Sequence, residues 1–209
     1  MVRRLVITVL ALLCSLNPAI AGDKDGKQGR IRIKYGVEWG YNATFLDKYH
    51  YDYIEAVDGF RVDERDTRLF LYSNGNVLAK AGLEFGGHCS AFILAGYEGI
   101  RQDTRIFPVT LRGTYHLAPL SSDGVMTFIE GGAGFHPDFG MRCVIGKAGA
   151  GYRIRLSRKG SLDMLAAIQI CGDHPPIYDR EISGMVPAEL VRTSDSIYGA
   201  LVMSMSISF

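Results

Sequence analysis

The sequence predicts an all-β protein, an eight-stranded antiparallel up-and-down transmembrane β-barrel. Segments of alternating apolar and polar residues recur along the chain, and each has about the length of a tilted strand that crosses a bilayer. The 25 glycines, 11 tyrosines and 10 phenylalanines among 209 residues suit many turns and two aromatic girdles. No later segment offers the roughly 18 consecutive apolar residues of a membrane helix.

The N-terminal residues have the pattern of a secretory signal. Arg3 and Arg4 precede an apolar run over 5–13, and Ala19-Ile20-Ala21 supplies the small residues that a signal peptidase accepts. The run is too short for a spanning helix, which needs about 20 residues. We therefore predict a signal peptide over 1–21 that is cleaved after Ala21, a short periplasmic segment over 22–29, and a barrel domain over 30–209.

The charge of the chain argues against a nucleic-acid partner. The 23 basic and 22 acidic residues nearly cancel, and loss of the two signal-peptide arginines changes the net charge from +1 to −1.

The first four predicted strands turn odd-numbered residues toward lipid. The first strand, 31–41, has the clearest apolar face: Ile31, Ile33, Tyr35, Val37, Trp39 and Tyr41. The second, 77–86, the third, 89–99, and the fourth, 106–117, keep this parity. They turn inward the polar side chains Lys80, Glu84, Glu98, Arg112 and His116.

The last four predicted strands cover 125–135, 144–156, 162–172 and 196–209. The fifth turns Ile129 outward and Glu130 inward. In the sixth and seventh, even-numbered residues such as Tyr152 and Ile168 face lipid. Their inward residues are Lys147, Arg153, Asp163 and Gln169. The eighth alternates apolar and small polar residues and ends on Phe209, as the closing strand of a barrel would.

The connections alternate in length, as in bacterial membrane barrels. Tight turns are predicted at about 86–90, 118–124 and 157–161, whereas 44–76 and 173–195 are long. With both termini in the periplasm, the long loops face outward. The alternative is a soluble, lipocalin-like eight-stranded barrel, which would bury the apolar face and expose the charged one.

Opposed residues in an antiparallel hairpin share a face, so the turns predict interior ion pairs. Arg112 opposes Glu130 and Arg153 opposes Asp163, while Lys80 lies one pair diagonal from Glu98. An eight-stranded lumen is narrow enough to be filled by such side chains.

The signal peptide, the strand pattern and the terminal Phe209 resemble those of small eight-stranded bacterial outer-membrane proteins, the group that includes OmpX and the membrane domain of OmpA. Around Ser73-Asn74-Gly75 and Ala95-Gly96-Tyr97 the chain is most similar to barrels of Bacteroidota-type bacteria. The resemblance implies a Gram-negative outer membrane, with its lipid and lipopolysaccharide as surroundings. It also implies that the barrel-assembly machinery recognises Phe209, and it supplies no catalytic residues.

The sequence therefore predicts a non-enzymatic, porin-like cell-envelope barrel without a cofactor or metal site. Binding of an extracellular protein or glycan is expected in loops 44–76 and 173–195. In the first of these, tyrosines and phenylalanines mix with acidic residues; the same mixture would also let a long loop pack on itself. One alternative is a lipid A deacylase or acyltransferase, for which His88, Ser90 and Glu98 are the nearest candidates. The other is a narrow small-solute pore, which the charged lumen disfavours.

Three cysteines follow the signal peptide, and an oxidising envelope permits a disulfide. Cys143 and Cys171 share inward parity at the outer ends of the sixth and seventh strands, so we predict that they pair. Cys89 belongs to the opposite end and is expected to stay free. The alternative is three unpaired thiols, because the cross-strand offset strains the bridge.

Overall fold

Eight strands close into one antiparallel barrel in which sequence neighbours are spatial neighbours. The structure is a computed structural model that describes residues 31–85, 87–101, 105–136, 142–158, 160–179 and 184–209. The predicted signal peptide and the segment 22–29 lie outside the described residues. The barrel strands are β1 (Arg32–Ile54), β2 (Arg61–Phe85), β3 (Cys89–Gly99), β4 (Arg105–His116), β5 (Gly124–Phe135), β6 (Arg142–Arg155), β7 (Ser161–Asp173) and β10 (Val191–Ser208).

The connection between β7 and β10 carries its own small elements. β8 (Tyr178–Asp179) pairs with β9 (Gly184–Met185), and one turn of 3-10 helix covers Ala188–Leu190. None of the described residues forms a helix long and apolar enough to cross a membrane.

The two faces of the barrel wall differ in polarity, and the apolar face is on the outside, as a membrane requires. Apolar side chains stand on the outside, where Ile33, Ile129 and Met203 are 70%, 71% and 70% exposed. Charged side chains such as Glu98 and Arg153 are buried in the lumen. A soluble barrel would place these faces the other way round, so the lipocalin-like alternative is wrong and the wall is that of a transmembrane barrel.

The closing seam joins β1 to β10 through residues that tolerate very close backbones. A Cβ atom on Gly36 would lie 1.9 Å from the Ile207 carbonyl oxygen, so only glycine fits there. At the end of the seam the Phe209 amide donates to the Tyr35 carbonyl at 2.9 Å, and the two rings lie 6.2 Å apart. Phe209 thus anchors the last strand to the first at the end that holds the tight turns.

The region 44–76, predicted as a long loop, is mostly strand. β1 continues to Ile54, β2 starts at Arg61, and the two pair up to Ile54 and Arg61. Only residues 55–60 form a turn, in which Gly59 adopts a φ of 71°. The β1–β2 ribbon therefore extends beyond the membrane-spanning part of the wall.

A bulge at Phe45 explains why the alternation of inward and outward residues does not continue unchanged through this extension. Thr44 pairs with Ala200, yet Leu46 pairs with Gly199, so Phe45 is an inserted residue. Because one extra residue reverses the two faces of a strand, the inward set changes from even-numbered to odd-numbered positions. Above Phe45, the inward residues of β1 are Asp47, Tyr49, Tyr51 and Tyr53.

Candidate functional site

The lumen within the membrane contains matched charges among the described residues. Five acidic and five basic side chains are buried there: Glu38, Glu84, Glu98, Glu130, Asp163, Lys34, Lys80, Arg112, Lys147 and Arg153. Dry unpaired charge is very costly, so this balance is a condition of filling a narrow barrel with ionisable groups.

The upper part of the lumen holds a continuous network centred on Arg112. Its guanidinium binds Glu130 at 2.6 Å, as the hairpin register predicts, and it also binds Glu38 through two bonds of 2.6 and 2.9 Å. Lys147 connects Glu130, at 3.6 Å, with Glu98, at 2.8 Å. The network therefore ties β1, β3, β4, β5 and β6 across the barrel.

A second network lies nearer the tight turns. Arg153 opposes Asp163 and binds it at 2.7 Å, again as the register predicts, and it also binds Glu84 at 2.8 Å. Lys80 is 3.5 Å from Asp163. The space beside this network, lined by Lys34, Glu84 and Arg153 among others, measures only about 10 Å³.

The predicted contact between Lys80 and Glu98 is wrong. In the β2–β3 hairpin Lys80 opposes Leu94 and Glu98 opposes Asn76, so the two are separated along the wall. The turn is tighter than the predicted turn at 86–90, since Phe85 already pairs with Cys89. Both residues face the lumen, but their partners come from across the barrel.

Cys143 and Cys171 are buried side by side and are in hydrogen-bonding contact as free thiols. Cys89 is also free. Ile145, not Cys143, stands directly opposite Cys171, so the two cysteines are diagonal neighbours. The disulfide stays a prediction.

The lipid A-enzyme candidates do not form a catalytic group. His88 bonds the His116 carbonyl oxygen at 2.8 Å, and Ser90 lies 3.3 Å from the His116 ring. Glu98 sits at the far end of β3, where it binds Lys147 and Asn42. Among the described residues, no cluster of three His, Cys, Asp or Glu side chains is arranged to hold a metal ion.

The barrel mouth at the end opposite the tight turns contains a pocket of about 430 Å³ that the sequence patterns did not locate. This mouth pocket is lined by residues of β1, β2 and β8 and of the segment after β3: Asp47, Tyr49, Tyr51, Tyr53, Glu64, Arg68, Arg101, Tyr178 and Asp179. Its volume falls in the range of small-molecule sites. The sequence shows tyrosines at every second position, 49, 51 and 53. It does not show which face they occupy, because the bulge at Phe45 reverses the parity of the strand.

One wall of the mouth pocket is a fixed cluster. Tyr49 stacks on Tyr51 with ring centroids 4.8 Å apart, and the Arg68 guanidinium lies 4.9 Å from the Tyr49 centroid. The Tyr49 hydroxyl donates to Glu64 at 2.6 Å and accepts a bond from Arg68. The bond to Glu64 raises the pKa of Tyr49 to about 12, so this phenol stays protonated.

The floor of the mouth pocket is different because it is incompletely bonded. Asp47 is 2% exposed, and Arg101 reaches its Oδ2 atom only at 3.5 Å. The Oδ1 atom is buried and has no hydrogen-bond partner among the described residues. Burial raises the pKa of Asp47 above its usual value. A buried carboxylate oxygen without a donor is costly, which makes this atom the natural point of contact for a ligand.

The ribbon that carries these residues is secured near its tip. Arg61 binds Asp52 with two bonds of 3.0 and 2.9 Å, and this contact keeps the pKa of Asp52 low. The mouth pocket is therefore built on hydrogen-bonded strands and is formed before a ligand arrives.

The chain has structural neighbours among membrane barrels. The outer membrane protein AlkL, solved by solid-state NMR in lipid bilayers, is 10% identical, with 93% of this chain and 97% of AlkL covered at a TM-score of 0.46. Ail of Yersinia pestis, solved with the heparin analogue sucrose octasulfate, is 12% identical, with 88% of this chain and 100% of Ail covered at a TM-score of 0.39. The outer membrane protease OmpT of Escherichia coli is 9% identical, with 85% of this chain and 96% of OmpT covered at a TM-score of 0.36. No protein-family model and no curated protein matches the chain.

Proposed function

We propose that this protein is an integral bacterial outer-membrane barrel of the OmpX and OmpA membrane-domain type, which presents a binding pocket at the cell surface. The observation that carries the proposal is the mouth pocket, which lies at the barrel end opposite the tight turns and the Phe209 seam. Long strands beyond the membrane, on a rigid filled wall, are an arrangement typical of surface recognition.

The proposal is one of binding without catalysis or transport. Transport is disfavoured because two salt-bridge networks fill the lumen below the pocket. Catalysis is disfavoured because His88, Ser90 and Glu98 do not converge. We propose that the outer face of the barrel contacts lipopolysaccharide and phospholipid. We also propose that the barrel-assembly machinery inserts the protein and recognises Phe209.

Surface labelling in intact cells tests the location and the orientation together. In a Cys89→Ser background, Val57→Cys at the exposed ribbon tip should react with a membrane-impermeant maleimide. Ser121→Cys, in the exposed turn between β4 and β5, is the matched control and should react only after the cells are permeabilised. Equal reaction of both sites in intact cells, or reaction of the turn alone, would overturn the proposal.

A further inference from the structure

The mouth pocket has a polar composition that discriminates between ligand classes. Its acidic members are Asp47, Glu64 and Asp179, and its basic members are Arg68 and Arg101. Glu64 and Arg68 already bond Tyr49, and Arg68 also binds Asp66 at 3.1 Å. These groups form the wall of the pocket, and their polar atoms are already hydrogen-bonded to neighbouring side chains.

The other charged pair of the pocket, Asp47 and Arg101, is in loose contact at 3.5 Å. Among the described residues, Asp47 Oδ1 is an acceptor without a donor. Beside it, an Arg101 N–H group lies 3.5 Å from the other carboxylate oxygen, a long contact. An acceptor and a donor thus stand next to each other at the floor. Neighbouring hydroxyl groups match this pair, because one hydroxyl donates to the carboxylate while the next accepts from the guanidinium.

Charged ligands match the floor less well. A small cation that reached Asp47 would stand against the Arg101 guanidinium, and a small anion that reached Arg101 would stand against Asp47 and Asp179. The remaining surface is aromatic and is supplied by Tyr53 and by Tyr178, which is 61% exposed. Tyrosine rings offer apolar contact area together with a polar edge.

We propose that the mouth pocket binds a neutral carbohydrate, with vicinal hydroxyls on Asp47 and Arg101 and the sugar ring against Tyr53 and Tyr178. The inference rests on the proposed surface location and names the ligand class of that site. The sugar has two sources with the same chemistry: a glycan of the cell's own lipopolysaccharide and a soluble sugar from outside.

The test uses the full-length protein in phospholipid nanodiscs, which avoids sugar-based detergents. Saturation-transfer-difference NMR should detect saturable binding of maltose, a neutral disaccharide, and weaker binding of choline or glucuronate. Asp47→Asn should weaken maltose binding about tenfold, since it removes a hydrogen bond to a charged group. Asp58→Asn, the same change in the exposed turn of the ribbon tip, should leave binding unaltered.

Several outcomes would overturn the inference. These are no saturable maltose signal, undiminished binding by Asp47→Asn, or preferential binding of choline or glucuronate. Tyr178→Ala serves as a second variant, because an exposed side chain outside the barrel wall can be removed without affecting folding. A failed sugar test with correct surface labelling rejects only the ligand class, whereas failed labelling rejects the location. Nanodiscs containing smooth lipopolysaccharide distinguish the sources: reduced maltose binding there indicates that the membrane's own glycan occupies the pocket.

Discussion

At the residue scale, Arg112 shows how a charge can be buried within a membrane wall. It binds Glu38 and Glu130 simultaneously, and its Cζ atom lies 4.7 Å from the Phe128 ring centroid. The planar guanidinium offers several N–H groups in a fixed fork, which lets it make close bonds to both carboxylates at once. The residue is thus more than the cross-strand partner of Glu130 that the hairpin register predicts.

Removal of this guanidinium should be severely destabilising. Arg112→Met leaves two buried carboxylates without their main cation, so the free energy of unfolding should fall by about 3–5 kcal/mol. Urea unfolding from lipid vesicles measures it, and Arg65→Met on the exposed ribbon should have little effect. In a double-mutant cycle, Glu130→Gln should show strong coupling with Arg112→Met; independent, additive effects would contradict the pairing.

The two buried thiols give a second residue-scale prediction. Under oxidising conditions Cys143 and Cys171 should form a disulfide while Cys89 stays alkylatable. Peptide mapping without reductant, on protein extracted from cells, should find the linked peptide. The two side chains are diagonal neighbours across β6 and β7 and their thiols are already in contact, so the sulfur atoms are placed to react. Three alkylatable thiols, or a bridge that involves Cys89, would refute the pairing.

At the element scale, the barrel strands could be read from the sequence because lipid imposes a strict alternation. β3 begins and ends where the pattern places it, and the ends of β4, β5, β6 and β7 lie within two residues of the predicted ones. The alternation disappears in the upper β1–β2 ribbon, where Phe45 reverses the parity of β1 and many residues of both strands are polar. A bulge has no signature in a single sequence, so the mouth pocket could not be located by pattern alone.

The closing strand gives a prediction about assembly. Phe209 contacts Tyr35 through its ring and through backbone bonds, so Phe209→Asp should reduce the amount of folded protein in the membrane. Quantitative blotting of membrane fractions measures this. Phe209→Leu keeps an apolar end and should assemble better than the aspartate variant. Phe60→Asp, at the exposed ribbon tip, controls for the added charge. Normal assembly of Phe209→Asp would argue against a recognition role.

At the scale of the whole molecule, the charged network and the closed hydrogen-bonded wall make the lumen a solid core. The sequence predicted the inward charges, but their partners across the barrel depend on the strand stagger, which hairpin arithmetic does not supply. Lys80 illustrates this, because its ion-pair partner Asp163 is distant in sequence.

The intact barrel should resist cold detergent and should not conduct. Unboiled protein should migrate differently from boiled protein on a gel, because the closed wall stays folded until heated. In planar bilayers, the native protein should give no stable ohmic steps, since salt-bridged side chains fill the lumen. Uniform migration regardless of heating would contradict the folded barrel, and stable conductance steps would contradict the closed lumen.

The unequal length of the strands has a consequence for how the molecule is approached. β1 and β2 contain 23 and 25 residues, whereas β3 and β4 contain 11 and 12. At roughly 3.3 Å per residue, the ribbon is therefore about 40 Å longer along its strands than the adjacent β3 and β4. The mouth is therefore a one-sided hollow with a tall back wall. The side of the mouth away from the ribbon is bounded by shorter strands among those described, so the protein has a front and a back within the plane of the membrane.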